Sequence, residues 1–453
     1  MRLRFVLGDR VTELALPAEV PLADLLPAIL TQFGAETVEE GAEHEGWVVQ
    51  RLGEAPLDED RSPAQLNVFD GESLYLRPRA DQLAAIDYDD LVDGVGDRVR
   101  EHPGKLTPAR VRWMFELGAV AVLLSGLYLL PGPGAGAVQA QLSGVCAIVF
   151  VLAAALVARG TANSRVAVVL AGAGAAYAVL AATLVVDVVA PGAVPMVRFT
   201  AAGAGALLAL TAGLVAVADA ALLFTGAIVV AIVTVLTGLV GSLSPASTPE
   251  AAAVGLVVAF VMGIFVSPTA FRLSGLSLPM LPTGADELAE DIEPIPHETV
   301  LDRGTAVVGY SIALHVGLGL AQAVLLPMIV AGGGTWGLVL ALVSSALLLL
   351  RSRHPSGVVE RWSMLVPAAA GVGASLVQVA AGVSQAERLL IVVPFVVVGS
   401  GLLLFGGEKL PGKRLRPYWG RTVEILETVT AIAVLPILLQ VLHVYSFMRN
   451  LVS

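Results

Sequence analysis

The sequence predicts a polytopic α-helical membrane protein of eleven transmembrane helices, preceded by a small soluble α+β domain. Three observations predict it. Hydrophobic residues make up 56% of the chain and charged residues only 14%, whereas a soluble domain is nearer half apolar with about a quarter charged. The charges gather at one end: residues 1–112 hold 12 Lys/Arg and 22 Asp/Glu, and the other 341 residues hold 15 and 16. The net charge of -11 thus divides into -10 and -1, which marks a boundary between a water-solvated part and a lipid-solvated part. Beyond that boundary the chain is a succession of apolar runs of the roughly 20 residues that a spanning helix needs.

Residues 1–79 read as the soluble unit. Leu3, Phe5 and Leu7 alternate with Arg2, Arg4 and Val6, Gly8-Asp9 supplies a turn, and Val11–Leu16 reads as a returning strand; this is a hairpin pattern. Within Val20–Phe33, Leu22, Leu25, Leu26, Ile29, Leu30 and Phe33 recur at helical spacing, with Pro27 placed to shorten or kink the helix. An acidic loop, Glu36–Gly46, leads to a third strand at Trp47–Leu52, a short helical turn at Ser62–Leu66 and a last strand at Glu72–Leu76. The order ββαββ with a late short helix resembles the ubiquitin-like β-grasp fold. The chain continues Leu76-Arg77-Pro78-Arg79, without the diglycine that ubiquitin-type conjugation requires. The head therefore reads as a docking module, with a solubilising cap as the plainer alternative. Met1 leads directly into this charged, strand-like sequence without a signal-peptide pattern, so the head is expected to stay in the cytoplasm.

Residues 80–112 read as an acidic helical linker. Leu83, Ile86, Leu91, Val92, Val95 and Val99 form a broken apolar stripe among Asp87, Asp89, Asp90, Asp93 and Asp97. Membrane-surface helices carry Lys and Arg on the polar face, so an acidic one favours protein over lipid; a solvated connector is the alternative. Asp89, Asp90, Leu91 and Asp93 are the candidate docking residues. Pro103-Gly104 breaks the segment and Thr107-Pro108 opens the next helix.

The membrane domain is read over residues 113–447. Its spans are 113–131, 138–158, 166–186, 198–218, 220–242, 251–270, 305–330, 335–350, 363–383, 388–406 and 423–445. Two spans meet near Asp219 with almost no loop, and a single long helix there would reduce the count to ten. Positive charge decides between the counts. With the N-terminus inside and eleven spans, twelve Lys/Arg lie in cytoplasmic loops and three outside: Arg198, Arg388 and Arg449. Ten spans would put the clusters 351–361 and 409–421 outside, against the positive-inside rule. The C-terminus is then extracytoplasmic. The longest internal loop, 271–304, combines an apolar Leu278-Pro279-Met280-Leu281-Pro282 stretch with an acidic patch and Pro294-Ile295-Pro296. Long irregular loops are usually functional or disordered, so Leu278, Pro279, Leu281 and Pro282 join the docking candidates.

Acidity argues against nucleic-acid binding, which needs a basic footprint. Cys146 is the only cysteine, so there is no intrachain disulfide and no cysteine metal cluster. The common nucleotide, zinc-protease and hydrolase motifs are absent from the sequence, so neither catalytic residues nor a cofactor is expected. Intramembrane polar groups are the place to look for transport. Glu116, Asp187, Asp219, Glu424 and Glu427 fall near span ends; His315 falls near a span centre, with Gln322 two turns on and Gln378 in another helix. A proton relay at His315 would want a carboxylate at depth, and the sequence offers none there. A hydrogen-bonded structural imidazole is the other reading. Small residues at Gly172, Gly174, Gly203, Gly205, Gly371, Gly373, Gly399 and Gly401 permit close helix approach.

The head, Tyr88-Asp89-Asp90-Leu91-Val92-Asp93, the eleven-span body and the loop Phe271-Arg272-Leu273-Ser274 to Leu278-Pro279-Met280-Leu281-Pro282-Thr283 together resemble EccD. EccD is the polytopic membrane component of type VII (ESX) secretion systems of actinobacteria. The resemblance implies a non-enzymatic scaffold in the cell membrane. It implies a homodimer around a vestibule of membrane lipid, with heads and linkers against an EccC-type ATPase, EccB and EccE. A secondary transporter with a regulatory cytoplasmic head is the alternative function; a membrane enzyme would need a catalytic cluster that the sequence lacks.

Overall fold

The computed structural model describes residues 1–8, 10–34, 46–51, 56–79, 108–132, 136–161, 164–276, 297–409 and 417–452. Asp89, Asp90, Leu91 and Asp93, and likewise Leu278, Pro279, Leu281 and Pro282, lie outside the described residues. The chain divides into two units, residues 1–107 and 108–453.

The head is a four-stranded sheet under one helix. Strands β1 (Arg2–Leu7), β2 (Arg10–Ala15), β3 (Trp47–Gln50) and β4 (Ser73–Pro78) are ordered β2-β1-β4-β3, and α1 spans Leu22–Phe33. The β1–β2 hairpin is antiparallel with Leu3 opposite Leu14, and Gly8 takes the positive φ its turn requires. β1 runs parallel to β4, with Phe5 beside Leu74, and this central pairing defines the grasp topology expected. Alternation puts Leu3, Phe5, Val49, Leu74 and Leu76 on one face, where they bury Leu25, Ile29, Leu30 and Phe33 of α1. Pro27 lies on the exposed side of α1 and does not end it. Ser62–Leu66 forms a single turn, closed by the Leu66 N–H on Ser62 O at 3.0 Å.

One ion pair fastens that turn region to the sheet. Arg51 Nε donates to Glu72 at 2.6 Å, Arg51 also donates to Asn67 O at 3.0 Å, and the Phe69 N–H donates to Glu72 at 2.8 Å. The Arg51 hydrogen bond holds the Glu72 carboxyl below its ordinary 4.5, against the opposing effect of partial burial. A carboxyl lowered in the folded state stabilises above its unfolded pKa, and that stabilisation fades as pH falls through the folded value. Hydrogen exchange over residues 62–76 of the full chain should therefore lose protection as pH drops below 4.5, by about 0.5–1.5 kcal/mol. Glu72→Gln should start lower and lack that pH-dependent step.

The membrane unit begins with α2 (Pro108–Leu129), α3 (Ala137–Gly160), α4 (Ser164–Val189), α5 (Pro195–Ala216) and α6 (Ala221–Leu243). Then follow α7 (Thr248–Ile264), α8 (Val266–Leu273), α9 (His297–Gly332), α10 (Gly334–Arg351), α11 (Val358–Ala381), α12 (Gln385–Lys409), α13 (Pro417–Val441) and α14 (Val444–Val452). The doubtful split near Asp219 is real. The helix ends at Val217 (φ -125°, ψ 77°), and one short turn, Ala218–Ala220, starts α6. α6 then folds back antiparallel on α5: Gly213 meets Phe224, Gly203 meets Val235 and Gly238 meets Thr200. Ser164 Oγ donates to Asp219 at 2.5 Å, tying the turn to the start of α4.

Among the described residues ten helices are each long and apolar enough to span, and the α7–α8 pair, bent by 57°, makes eleven when counted as one span. Neighbours establish it as a crossing. Leu222, Gly226 and Val229 of α6 lie beside Gly309, Ala313 and Gly317 of α9, so α6 and α9 run the same way. Among the described residues α7–α8 is the segment that returns the chain between them. It does so antiparallel to α9: Pro249 lies beside Gly332, Gly263 beside Leu318 and Gly275 beside Arg303. Pro268 has no N–H to donate to Ile264 O, which accounts for a break at this point. The last span ends earlier than its apolar run: α13 stops at Val441, and His443 takes φ 57° before α14.

α9 is the central helix. Leu325, Leu326 and Ile329 are buried with Leu340 and Leu347 of α10 and Leu256 of α7. An alanine-rich seam, including Ala154, Ala167 and Ala171, packs α3 and α4. By contrast, the membrane stretches of α2 and α12 are unburied throughout.

Candidate functional site

The described residues of the membrane unit line a half-open cavity of roughly 520 Å³ that carries several polar side chains. Its position follows from helix register. α9 and α11 run parallel, with Gly319 against Ser363 and Leu326 against Gly371. Glu360, three residues before Ser363, is thereby brought level with Ser311 and His315. Arg351 at the end of α10 and His354 in the short turn to α11 reach the same cavity. His315 is thus midway along a 36-residue helix, yet level with a helix–helix turn. It is not sealed at mid-bilayer.

Two clusters line the cavity. In the first, Ser311 Oγ donates to Glu360 Oε1 at 2.6 Å, and His315 Nδ1 lies 2.9 Å from Ser311 O and 3.8 Å from Glu360 Oε1. A carbonyl only accepts, so in this contact Nδ1 carries a proton and donates to Ser311 O. Glu360 thus stands within reach of His315, a proximity that the apolar pattern does not reveal. Glu360 was assigned to a loop because the apolar run begins later, whereas the helix itself begins at Val358. Gln322 is buried and faces the same cavity without a side-chain hydrogen bond among the described residues, while Gln378 is exposed on α11. The structure brings His315 and Gln322 together and leaves Gln378 apart.

The second cluster centres on Glu427 of α13. It accepts from His354 Nε2 at 2.9 Å and Arg353 at 3.2 Å, with Arg351 Nε at 3.7 Å. Arg351 also lies 5.8 Å from the centroid of the Phe260 ring, within cation–π range. Three segments distant in sequence converge here: α7, the end of α10 with its following turn, and α13. In the sequence, the signal is Glu427 near the end of the span 423–445. Among the described residues no group of His, Cys, Asp and Glu has the arrangement of a metal site.

These features describe a helical membrane body with one polar notch at a helix end, joined to a β-grasp head. Residues 111–451 match the family model of the EccD-like transmembrane domain, and residues 1–76 match that of YukD, a protein of the WXG100 protein secretion system. No curated protein sequence matches. Among solved structures, protomer 1 of the ESX-3 core complex is similar at 19% identity and TM-score 0.63, over 98% of this chain and 99% of that one. A chain of the MycP5-free ESX-5 inner membrane complex in state II is similar at 19% identity and TM-score 0.59, over 91% and 99%. With the membrane-domain model matched over most of its length and a YukD-like head before it, the chain belongs to the EccD family of multi-pass membrane proteins.

Proposed function

We propose that this protein is a non-enzymatic structural subunit of a type VII (ESX) secretion complex in the bacterial cell membrane. The observation that carries the reading is the pairing, in one chain, of the EccD-like membrane domain with a secretion-system head. The finer reading is a homodimer around a vestibule filled with membrane lipid. It is supported by α2 and α12, whose Trp113, Phe115, Leu390 and Leu403 are exposed on helices that pack little within one subunit. The head and linker dock an EccC-type ATPase, with EccB and EccE as further partners, and the linker Asp89, Asp90, Leu91 and Asp93 form the contact. Leu278, Pro279, Leu281 and Pro282 lie against a partner or the head. The N-terminus is cytoplasmic and the C-terminus extracytoplasmic.

Deleting the protein should stop export by the system while the other subunits are still made; export at the normal level would remove the role. A reporter fused after Ser453 should be active only outside, because eleven crossings reverse the starting side. A cytoplasmic signal there would break the span count.

The second reading, a secondary transporter, draws on the His315–Ser311–Glu360 cluster. The structural role predicts otherwise. In His315→Asn an amide can replace the imidazole as donor, and in Glu360→Gln a carbonyl oxygen still accepts from Ser311. Both variants should secrete within about twofold of wild type, since each keeps the hydrogen bond. Loss of secretion at normal protein level in both would favour the relay.

A further inference from the structure

We propose that the Arg351 end of the cavity binds the phosphate of an anionic phospholipid, one of whose acyl chains lies in the groove beside α13. Two independent observations point there. The first is unspent hydrogen-bond donor capacity on two arginines. Arg351, Arg353 and His354 share one carboxylate, Glu427, and the other acid of the cavity, Glu360, is engaged by Ser311 on the far wall. Among the described residues the Arg351 guanidinium has no hydrogen-bond acceptor: its nearest carboxylate oxygen is 3.7 Å away. Arg353 Nε is buried and also without a partner there. A guanidinium with free donors matches a phosphate diester, which accepts two parallel N–H bonds.

The second observation is what adjoins these donors. Two further grooves, of roughly 490 and 150 Å³, both start at Arg351. Away from it they are lined almost wholly by aliphatic side chains: Val261 and Ile264 of α7, and Ala431, Ile432 and Leu435 of α13. From Glu427 to Leu435 the groove follows α13 for about 12 Å at helical rise. Arg351 ends an 18-residue spanning helix, so the charge sits at one membrane face and the groove leads inward. A mouth that offers free arginine donors at helix ends, continuous with an aliphatic groove, has the polarity profile of one phospholipid. A free phosphate would leave the groove unused, and a zwitterionic lipid would bring its own cation against Arg351 and Arg353. Gln322 and Ser267, which line the adjoining cavity, supply further polar groups for the headgroup.

The test uses the full chain purified in a maltoside detergent, which carries no phosphate. Bound lipid is counted by native mass spectrometry as dioleoyl phosphatidylglycerol is titrated, with dioleoyl phosphatidylcholine and inorganic phosphate as parallel arms. Wild type should retain phosphatidylglycerol roughly tenfold more tightly than phosphatidylcholine, and phosphate should not compete at millimolar concentration. Arg351→Gln should weaken phosphatidylglycerol about tenfold, while Arg353 and His354 still hold Glu427 and keep the fold. Leu435 is 57% exposed, so Leu435→Trp tests the groove without touching the ionic cluster, and should also lower retention. Equal retention by wild type and both variants would overturn the proposal. Competition by inorganic phosphate, or equal affinity for phosphatidylcholine, would overturn it too.

Discussion

Removing residues 1–105 should leave all eleven spans inserted and cut co-purification of the secretion ATPase roughly tenfold or more. Insertion follows from the hydrophobicity of the spans and the positive charge of their flanks. Both lie beyond residue 105, including the clusters 351–361 and 409–421. The head has its own core, in which Phe5, Ile29, Val49 and Leu74 are fully buried, so its removal takes away a unit that carries its own core. It lacks a conjugation tail and precedes an acidic linker ill-suited to anionic lipid, and protein docking is the use proposed for it. Replacing Asp89, Asp90 and Asp93 with Lys should weaken the same contact less than full deletion does. Added salt should weaken the wild-type contact, because exposed charges are screened within about 10 Å at 0.1 M. Undiminished ATPase recovery with the headless chain would leave the head as a solubilising cap.

Gly319→Leu is expected to abolish accumulation of the folded body. A Cβ at this position would overlap the carbonyl oxygen of Ser363, a backbone atom that cannot rotate away, so α9 and α11 would have to part. Overpacking of this kind costs about 1–3 kcal/mol for a methyl and more for a larger group. Gly319→Ala should show that smaller loss as a lower melting temperature in detergent. Gly373 lies on α11 with nothing within 4 Å of a built Cβ, so Gly373→Ala should change stability little. Equal behaviour of the two alanine variants would contradict the packing described for α9 and α11.

The sequence announced the architecture because its signals are local. Alternation over residues 2–7 and helical spacing over 22–33 are written in adjacent residues, and so is each apolar run. The parallel β1–β4 pairing came with the ββαββ order. The split at Asp219 was decided by loop charge and then matched by the antiparallel packing of α5 on α6. What stayed hidden was the coming together of distant helices. Glu360 and His315 are 45 positions apart, and Arg353 and Glu427 are 74 apart; no periodicity links them. Hydropathy also misplaced helix starts. It began a span at 363 where the helix begins at Val358, and so hid the carboxylate beside His315. Of the small residues, Gly174, Gly203, Gly205 and Gly371 do mark close approaches, whereas Gly172, Gly373, Gly399 and Gly401 face open space. Composition alone does not separate the two groups.

The most direct test of the structural-subunit reading is affinity purification of the tagged full chain in mild detergent, with the co-purifying membrane proteins identified and quantified. The account predicts recovery of a secretion ATPase and other core subunits in fixed ratio, with two copies of this chain per unit. Recovery of the chain as a lone, active monomer that moves a small solute across reconstituted vesicles would contradict it.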